Sequence, residues 1–172
     1  PVRAQDRPRH IPYGIGILAN IIRDKHEVAI CDMNINRMNF PNTEDLYNEY
    51  LRECLEAAKW DHIGIGGLSS QYKDVKRILP LARKTNPQST IIAGGGWITY
   101  IAKDMMELNP EVDIACVGES FETLPEILDG KTPRDIRGIY YREDNQLIAT
   151  PPRALYHDVD LLPYPAYDLL DM

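Results

Sequence analysis

No apolar run in the chain approaches the length that crosses a bilayer, and nothing in it resembles a secretory signal. No membrane partner is expected. Cysteine is scarce: Cys31, Cys54 and Cys116 are scattered, odd in number and without Cys-x-x-Cys spacing. That argues against a disulfide framework or a zinc site, and makes a reducing cytoplasm the expected location. Positive charge is also short. A net charge of −7 speaks against an electrostatic grip on nucleic acid or anionic lipid. His10, His62 and His157 have no partners at metal spacing, and no nucleophile–base pair stands out.

What remains is an ordinary globular composition. With 172 residues, 44% of them apolar, the chain has enough material for one core, most simply in one domain. Residues 1–12 are rich in Pro and Arg and read as a loop. A helix is expected from Tyr13 to Asp24, with Ile15, Leu18, Ala19 and Ile22 on one face. A strand follows at Glu27–Cys31, then a helix capped by Asn42 or Thr43 and running to about Ala58. Its apolar positions are Leu46, Tyr47, Tyr50, Leu51, Cys54 and Leu55. The strand His62–Gly66 leads through Gly67-Leu68-Ser69-Ser70 to a helix from about Gln71 to Lys84, which Pro80 should kink or end early. Next come a strand at Thr90–Ala93, a helix at about Ile98–Leu108, a strand at Asp113–Val117, and a helix capped by Ser120 that ends before Gly130. Strands alternating with helices predict an α/β fold with a doubly wound parallel sheet of Rossmann or flavodoxin-like type. Arg137–Tyr141 and Gln146–Thr150 alternate about Glu143-Asp144-Asn145, as a C-terminal β-hairpin does. The proline-rich remainder reads as a connector toward another domain. The expected divisions are therefore 1–134, 135–150 and 151–172. A sheet of this kind usually opens with a strand, and the first strand is expected to lie upstream of Pro1.

The stretch Thr90-Ile91-Ile92-Ala93-Gly94-Gly95-Gly96-Trp97 concentrates the functional signal. A strand buried on both faces delivers three glycines to the carboxyl edge of the sheet, where open α/β folds bind ligands. Two readings stay open from the residues alone: a tight turn, or a floor against which a ligand lies. Gly118-Glu119-Ser120 reaches the same edge after the next strand. Gly14-x-Gly16-x-x-Ala19 fits a dinucleotide fingerprint, but the preceding residues do not form the strand that it requires. Asp24-Lys25-His26-Glu27-Val28-Ala29 falls one residue short of Asp-x-His-x-x-Gly, a motif that presents histidine to cobalt, so His26 is not taken as a ligand.

Taken in order, several stretches resemble the N-terminal cobalamin-binding domain of cobalamin-dependent radical S-adenosylmethionine enzymes, including the anaerobic magnesium-protoporphyrin IX monomethyl ester cyclase type. They are Pro12–Ala19, His26-Glu27-Val28, Asp61–Ile65, Ala93–Thr99, Val112-Asp113, Gly118-Glu119, Glu122-Thr123, Gly138–Arg142 and Asp158–Leu170. The resemblance implies a module that binds and orients cobalamin (vitamin B12) without a protein histidine on cobalt, for a methyltransferase or an oxidative cyclase. It implies cofactor contacts at Tyr13, Gly14, Gly16, Gly66, Leu68, Ser69, Ser70, Gly94, Gly95, Gly96, Trp97, Gly118 and Glu119, no catalytic residue and no protein metal ligand. The cluster motif Cys-x-x-x-Cys-x-x-Cys is missing, so a 4Fe-4S cluster and S-adenosylmethionine would belong to a radical domain of the same parent chain. Gly66 stands where the family usually has Ser or Thr, and Ser120-Phe121 where it has Gly-Glu. Those departures keep open a degenerate docking domain that binds no cofactor, with a dinucleotide-binding domain as a third reading. On this view Gly95→Val should abolish cobalamin binding and spare the fold.

Overall fold

The computed structural model describes residues 11–33 and 44–170, the side chains of 44–46 excepted. The caps expected at Asn42 and Thr43, the side chain of Leu46, and the loop of residues 1–10 lie outside the described residues. The chain divides into two compact units, Lys59–Asp160 and Pro1–Ala58 with Leu161–Met172.

The larger unit carries a five-stranded sheet, with β1 (His62–Gly66), β2 (Thr90–Gly94), β3 (Ile114–Cys116), β4 (Ile139–Glu143) and β5 (Gln146–Ala149) side by side in chain order. β1, β2 and β3 run parallel, whereas β4 and β5 continue the sheet antiparallel. The hairpin thus belongs to the same sheet as the parallel strands. Asp144 and Asn145 both take positive φ at its tip, 49° and 62°, the geometry that fits a two-residue turn to twisted strands. The apolar runs of β2 and β3 are buried on both faces, as their composition predicts.

Register sorts the two faces. Gly64 pairs with Ile92 and Gly66 with Gly94; Ile92 pairs with Ile114, Ile114 with Tyr141 and Cys116 with Ile139. Partners share a face, so one face carries Gly64, Gly66, Ile92, Gly94, Ile114, Cys116, Ile139 and Tyr141. Its Ile92, Ile114, Cys116, Ile139 and Tyr141 form a core with Ile127 of the short helix Thr123–Leu128 and with Ile136. The opposite face carries Ile91, Ala93 and Ala115, all buried. Two longer helices, Tyr72–Thr85 and Ile98–Leu108, contribute Val75, Leu79, Ala82, Ile98, Ala102, Met105 and Met106 to the buried set.

The helix at 72–85 runs through Pro80 without ending. Pro80 is exposed, so the Lys76 carbonyl that loses its helical donor lies on the solvent side, where water can serve it. The helix at 98–108 does bend, at Ile101, with φ −131° and ψ 24°. At the amino edge of the sheet, the Asp113 carboxylate accepts from the Arg83 guanidinium at 2.6 Å and the Ile91 N–H at 2.7 Å. Arg142 likewise donates to the carbonyls of Met106 and Val112, satisfying a helix end. The charges at this edge build structure.

The smaller unit holds α1 (Tyr13–Ile22) and α2 (Glu44–Glu56). Two sequence expectations change here. Glu27–Cys31 is not in a strand ladder; an apolar run becomes a strand only when a neighbour takes up its backbone groups. In α1 the buried residues are Gly16 and Ala19, while Ile15 is 42% exposed. The packed side follows Gly16, because a backbone segment lies against it. Pro165 would stand 2.8 Å from a Gly16 Cβ, and the Ala166 N–H donates to the Gly16 carbonyl at 3.0 Å. Asn20 Nδ2 donates to the Tyr164 carbonyl at 2.8 Å, and Arg23 makes a two-pronged ion pair with Asp168 at 2.6 and 2.9 Å. Within the stretch read as a connector, Tyr164, Pro165, Ala166 and Asp168 are held against α1.

Candidate functional site

The carboxyl edge of the parallel strands gathers ten of the thirteen residues singled out from the sequence. Gly66 ends β1, with Leu68, Ser69 and Ser70 after it; Gly94 ends β2, with Gly95, Gly96 and Trp97 after it; and Gly118 and Glu119 follow β3. Ser69–Gln71 forms a single 3₁₀ turn, tied by the Leu68 N–H donating to Gln71 Oε1 at 2.8 Å. Leu68, Ser69 and Ser70 are all exposed, as are Gly118 and Glu119. Trp97 is buried, with its ring edge-on to Tyr72 at 5.5 Å between centroids.

The three consecutive glycines do different jobs. Gly95 has φ +99°, and a Cβ there would lie 3.1 Å from the Gly67 carbonyl oxygen. Glycine at 95 is therefore needed by the turn and by the close approach of the preceding loop. That overturns the expectation that Gly95→Val spares the fold. Among the described residues a Cβ at Gly96 would meet nothing within 4 Å, and one at Gly94 only the Cβ of Cys116, at 3.9 Å. These two positions keep space open that the described residues do not use.

Gly64, overlooked in the sequence reading, extends that space. Among the described residues a Cβ at Gly64 would meet nothing within 4 Å, and one at Gly66 only the Gly94 carbonyl at 3.7 Å. Both residues are exposed on the sheet face that carries Gly94. Alternate residues in a strand are about 7 Å apart and neighbouring strands about 5 Å, so the three glycines bare a patch of backbone of roughly those dimensions. Ile92 and Cys116, both apolar and buried, share this face beside it. A bare, flat floor with an apolar border suits a planar ring more than a charged group. The legible signal was glycine at every second position of His62-Ile63-Gly64-Ile65-Gly66, which puts both on one face.

A second overlooked residue is Thr99. Its hydroxyl accepts from the Gly118 N–H at 3.0 Å and lies 3.5 Å from the Gly95 carbonyl, which it can reach as donor. It joins the loops after β2 and β3. Among the described residues, the Trp97 indole Nε1 and the Thr123 hydroxyl are buried without a hydrogen-bond partner. Orphaned buried donors of this kind are costly unless a bound group satisfies them.

Tyr13, Gly14 and Gly16 lie in the other unit. Tyr13 and Gly14 are exposed at the start of α1, and among the described residues a Cβ on Gly14 would meet nothing within 4 Å. Gly16 is covered by Pro165. Both glycines sit inside helical turns, not in a strand-to-helix loop, so the dinucleotide fingerprint has no phosphate turn to supply. His26 closes the end of α1 through its backbone N–H, which donates to the Ile22 carbonyl, and it does not follow a strand. Among the described residues no cluster of three or more His, Cys, Asp or Glu side chains could hold a metal ion, and no helix is long and apolar enough to cross a membrane.

Known proteins give this arrangement a context. The chain is 29% identical over 165 residues to an uncharacterized methyltransferase of Pyrococcus horikoshii, matching 94% of this chain and 34% of that protein. It is 26% identical over 140 residues to the anaerobic magnesium-protoporphyrin IX monomethyl ester cyclase of Synechocystis, matching 79% of this chain and 27% of that protein. The chain thus spans about a third or less of these relatives. Among solved structures it is similar to the cobalamin-dependent S-adenosylmethionine radical enzyme OxsB with aqua-cobalamin bound, at a TM-score of 0.73 and 19% identity over 98% of this chain and 23% of that one. It is also similar to the radical S-adenosylmethionine methyltransferase TsrM of Kitasatospora setae with cobalamin and a 4Fe-4S cluster bound, at a TM-score of 0.71 and 16% identity over 92% of this chain and 29% of that one. At these identities the structural likeness speaks to the fold, an α/β fold with a mixed sheet. The model of the B12 binding domain matches residues 1–128, three quarters of the chain, and the chain belongs to that family.

Proposed function

We propose that this chain is the cobalamin-holding module of a larger radical S-adenosylmethionine enzyme, and that its bare sheet face receives the flat base of the cofactor's nucleotide tail. The observation that carries the reading is the backbone floor of Gly64, Gly66 and Gly94, where, among the described residues, an added Cβ would meet nothing closer than 3.7 Å. Bound cobalamin would supply a cobalt centre able to carry a reactive axial group, chemistry that belongs to the cofactor. The protein's part is to bind and orient it. The glycine floor gives a planar ring main-chain contact on one side, while Ile92 and Cys116 offer apolar contact beside it. Ser69 and Ser70, exposed in the turn after β1, can donate to polar groups of the tail, a role open because Gly66 has no hydroxyl. Thr99 fixes the spacing of the loops that bear Gly95 and Gly118. Tyr13 and Gly14 are assigned to the cofactor only by the resemblance. No histidine is offered to cobalt, and the cluster and S-adenosylmethionine are assigned to the remainder of the parent chain. The relatives' names divide between a methyltransferase and a cyclase; holding and orienting the cofactor serves either reaction.

The departure at Gly66 favours a second reading, a docking domain that no longer binds the cofactor. Titration with hydroxocobalamin, followed by desalting and a visible spectrum, separates the two, with NADH fluorescence as the control for a dinucleotide. Stoichiometric corrin colour is expected, and Gly64→Val should lower its retention at least tenfold, about 1.4 kcal/mol. The unfolding midpoint of that variant should stay put, because the new side chain points into open space on a strand that favours β-branched residues. A wild-type protein that emerges colourless, as full-length parent as well as the present chain, defeats the proposal.

A further inference from the structure

The stretch that leaves β5 does more than lead away from the sheet. β5 runs parallel to β3 and so ends at the same carboxyl edge. There residues 151–156 bind back on the start of β4 and on the residues that follow β3. The Gly138 N–H donates to the Pro151 carbonyl at 2.9 Å, and Arg137 Nε to the Pro152 carbonyl at 3.2 Å. Gly138, at φ +75°, leaves room for Arg153: a Cβ at 138 would lie 3.2 Å from the Arg153 Cβ and as close to the Val117 carbonyl oxygen. From that notch the Arg153 guanidinium donates to Glu122 Oε2 at 2.9 Å and to Glu126 Oε2. Its side chain is 15% exposed, and a guanidinium so covered keeps to its carboxylates, because an unpaired buried charge is costly. Further along, the Tyr156 ring meets Phe121 edge-on, with 5.7 Å between centroids. Phe121 and Glu122 directly continue Gly118-Glu119-Ser120. The start of that loop is tied by the Gly118 N–H to the Thr99 hydroxyl at 3.0 Å. Gly118 and Glu119 are thus exposed residues in a loop anchored at both ends.

We propose that residues 151–156 are a strap that sets the position of the Gly118–Glu119 loop, with Arg153 and Tyr156 as positioning residues for the cofactor. The inference rests on the cobalamin reading above, and it places the site under the control of the chain that leads away from the sheet. The physical link is short. Displacing the strap withdraws the Tyr156 ring from Phe121 and the guanidinium from Glu122, which frees the end of the loop while Thr99 still holds its start. A loop with one end free costs more to order when the cofactor binds. Coupling of this kind is reciprocal, so a cofactor held by the loop must in turn hold the strap. The contact also gives Phe121, which stands where the resemblance expects Glu, a partner of its own in Tyr156.

The test combines hydroxocobalamin retention after desalting with hydrogen exchange of the peptide spanning 150–157, both in the full parent chain. In the wild-type protein, hydroxocobalamin should slow exchange at 151–156. Arg153→Gln should lower retention roughly fivefold and cancel that slowing at saturating hydroxocobalamin. Tyr156→Ala should lower retention by a smaller factor, and Tyr156→Phe, which keeps the ring, should restore it. A coloured wild type whose exchange at 151–156 ignores the cofactor overturns the strap. So does an Arg153→Gln variant that retains as much colour as wild type, and in both cases the cobalamin reading stands. Slowing that persists in Arg153→Gln would mean that the segment touches the cofactor itself, which overturns the positioning role. A wild type that emerges colourless removes the cobalamin reading and the strap's function together. Should Arg153→Gln fail to fold, exchange in the wild-type protein still decides for or against the strap.

Discussion

Gly16 in α1 and Gly64 in β1 are the same residue with opposite surroundings. Where Gly16 lacks a side chain, Pro165 has moved in, to 2.8 Å from the missing Cβ. Where Gly64 lacks one, none of the described residues lies within 4 Å. The first absence is used by the chain itself, to seat the segment that follows its sheet. The second leaves bare backbone exposed on a face that elsewhere is packed with isoleucine and tyrosine. Gly–x–Gly patterns in the two units therefore carry different information. In the helix the spacing marks a packing notch, and in the strand it marks a surface kept clear. What a Cβ would meet, more than the glycine itself, separates a structural role from a binding one.

Substitutions can break this contrast in a ranked order. The largest effect is expected at Gly95, where both demands coincide. Gly95→Val puts a β-branched residue at positive φ and within 3.1 Å of a backbone oxygen, a combined cost of about 3–4 kcal/mol. Urea unfolding should show the loss in the absence of any cofactor. A variant as stable as wild type would mean that the turn tolerates other geometry and that its glycine belongs to the ligand. Gly16→Val comes next. Pro165 is rigid and cannot swing aside, so overpacking of about 1–3 kcal/mol is expected. It should appear as faster proteolytic cleavage within residues 161–170, and lack of any change in cleavage would show the notch to be incidental. Gly14→Ala, two residues earlier, should do the reverse: open space and helical geometry predict a gain of about 0.5–1 kcal/mol. Its effect on hydroxocobalamin retention separates the family assignment of Gly14 from a plain helix position.

The sequence carried the order and kind of the main elements because apolar runs and helical spacing are local signals. The hairpin was legible from its alternation and its Asp144-Asn145 tip, and the α/β class followed from strand–helix alternation. Pairing was not legible. Glu27–Cys31 has the composition of a strand and yet is in no ladder, since pairing depends on which backbone lies alongside. The buried side of α1 was misplaced for a related reason. Ile15 promised burial by type, but the contact partner is a backbone segment some 150 residues away that selects Gly16. At the site, the glycines at the end of β2 were identified together, and only their dihedral angles and neighbours divide Gly95 from Gly94 and Gly96. Gly64 was missed because one glycine in an apolar strand reads as weakness until register aligns it with Gly66 and Gly94.

The smallest expected effect tests how firmly the chain holds its own notch. Asp168 carries a carboxyl held below the usual carboxylate range, chiefly by its hydrogen bonds from Arg23. A depressed folded value means that the pair contributes stability above the unfolded pKa, near 4, and that this contribution disappears as pH falls through the folded value. Side-chain exposures of 35% and 60% leave the pair open to screening, so its share should be small and should shrink further in salt. Cleavage within residues 161–170 should therefore be flat from pH 8 to about pH 5 and rise only below about pH 4. Arg23→Gln should remove that rise and return the Asp168 titration, followed by carboxyl NMR, toward its ordinary value. The bond from the Ala166 N–H to the Gly16 carbonyl does not titrate and should outlast the ion pair. If acid releases the segment completely, the ion pair and not the glycine notch is what seats Pro165, and the contrast between Gly16 and Gly64 loses its energetic basis.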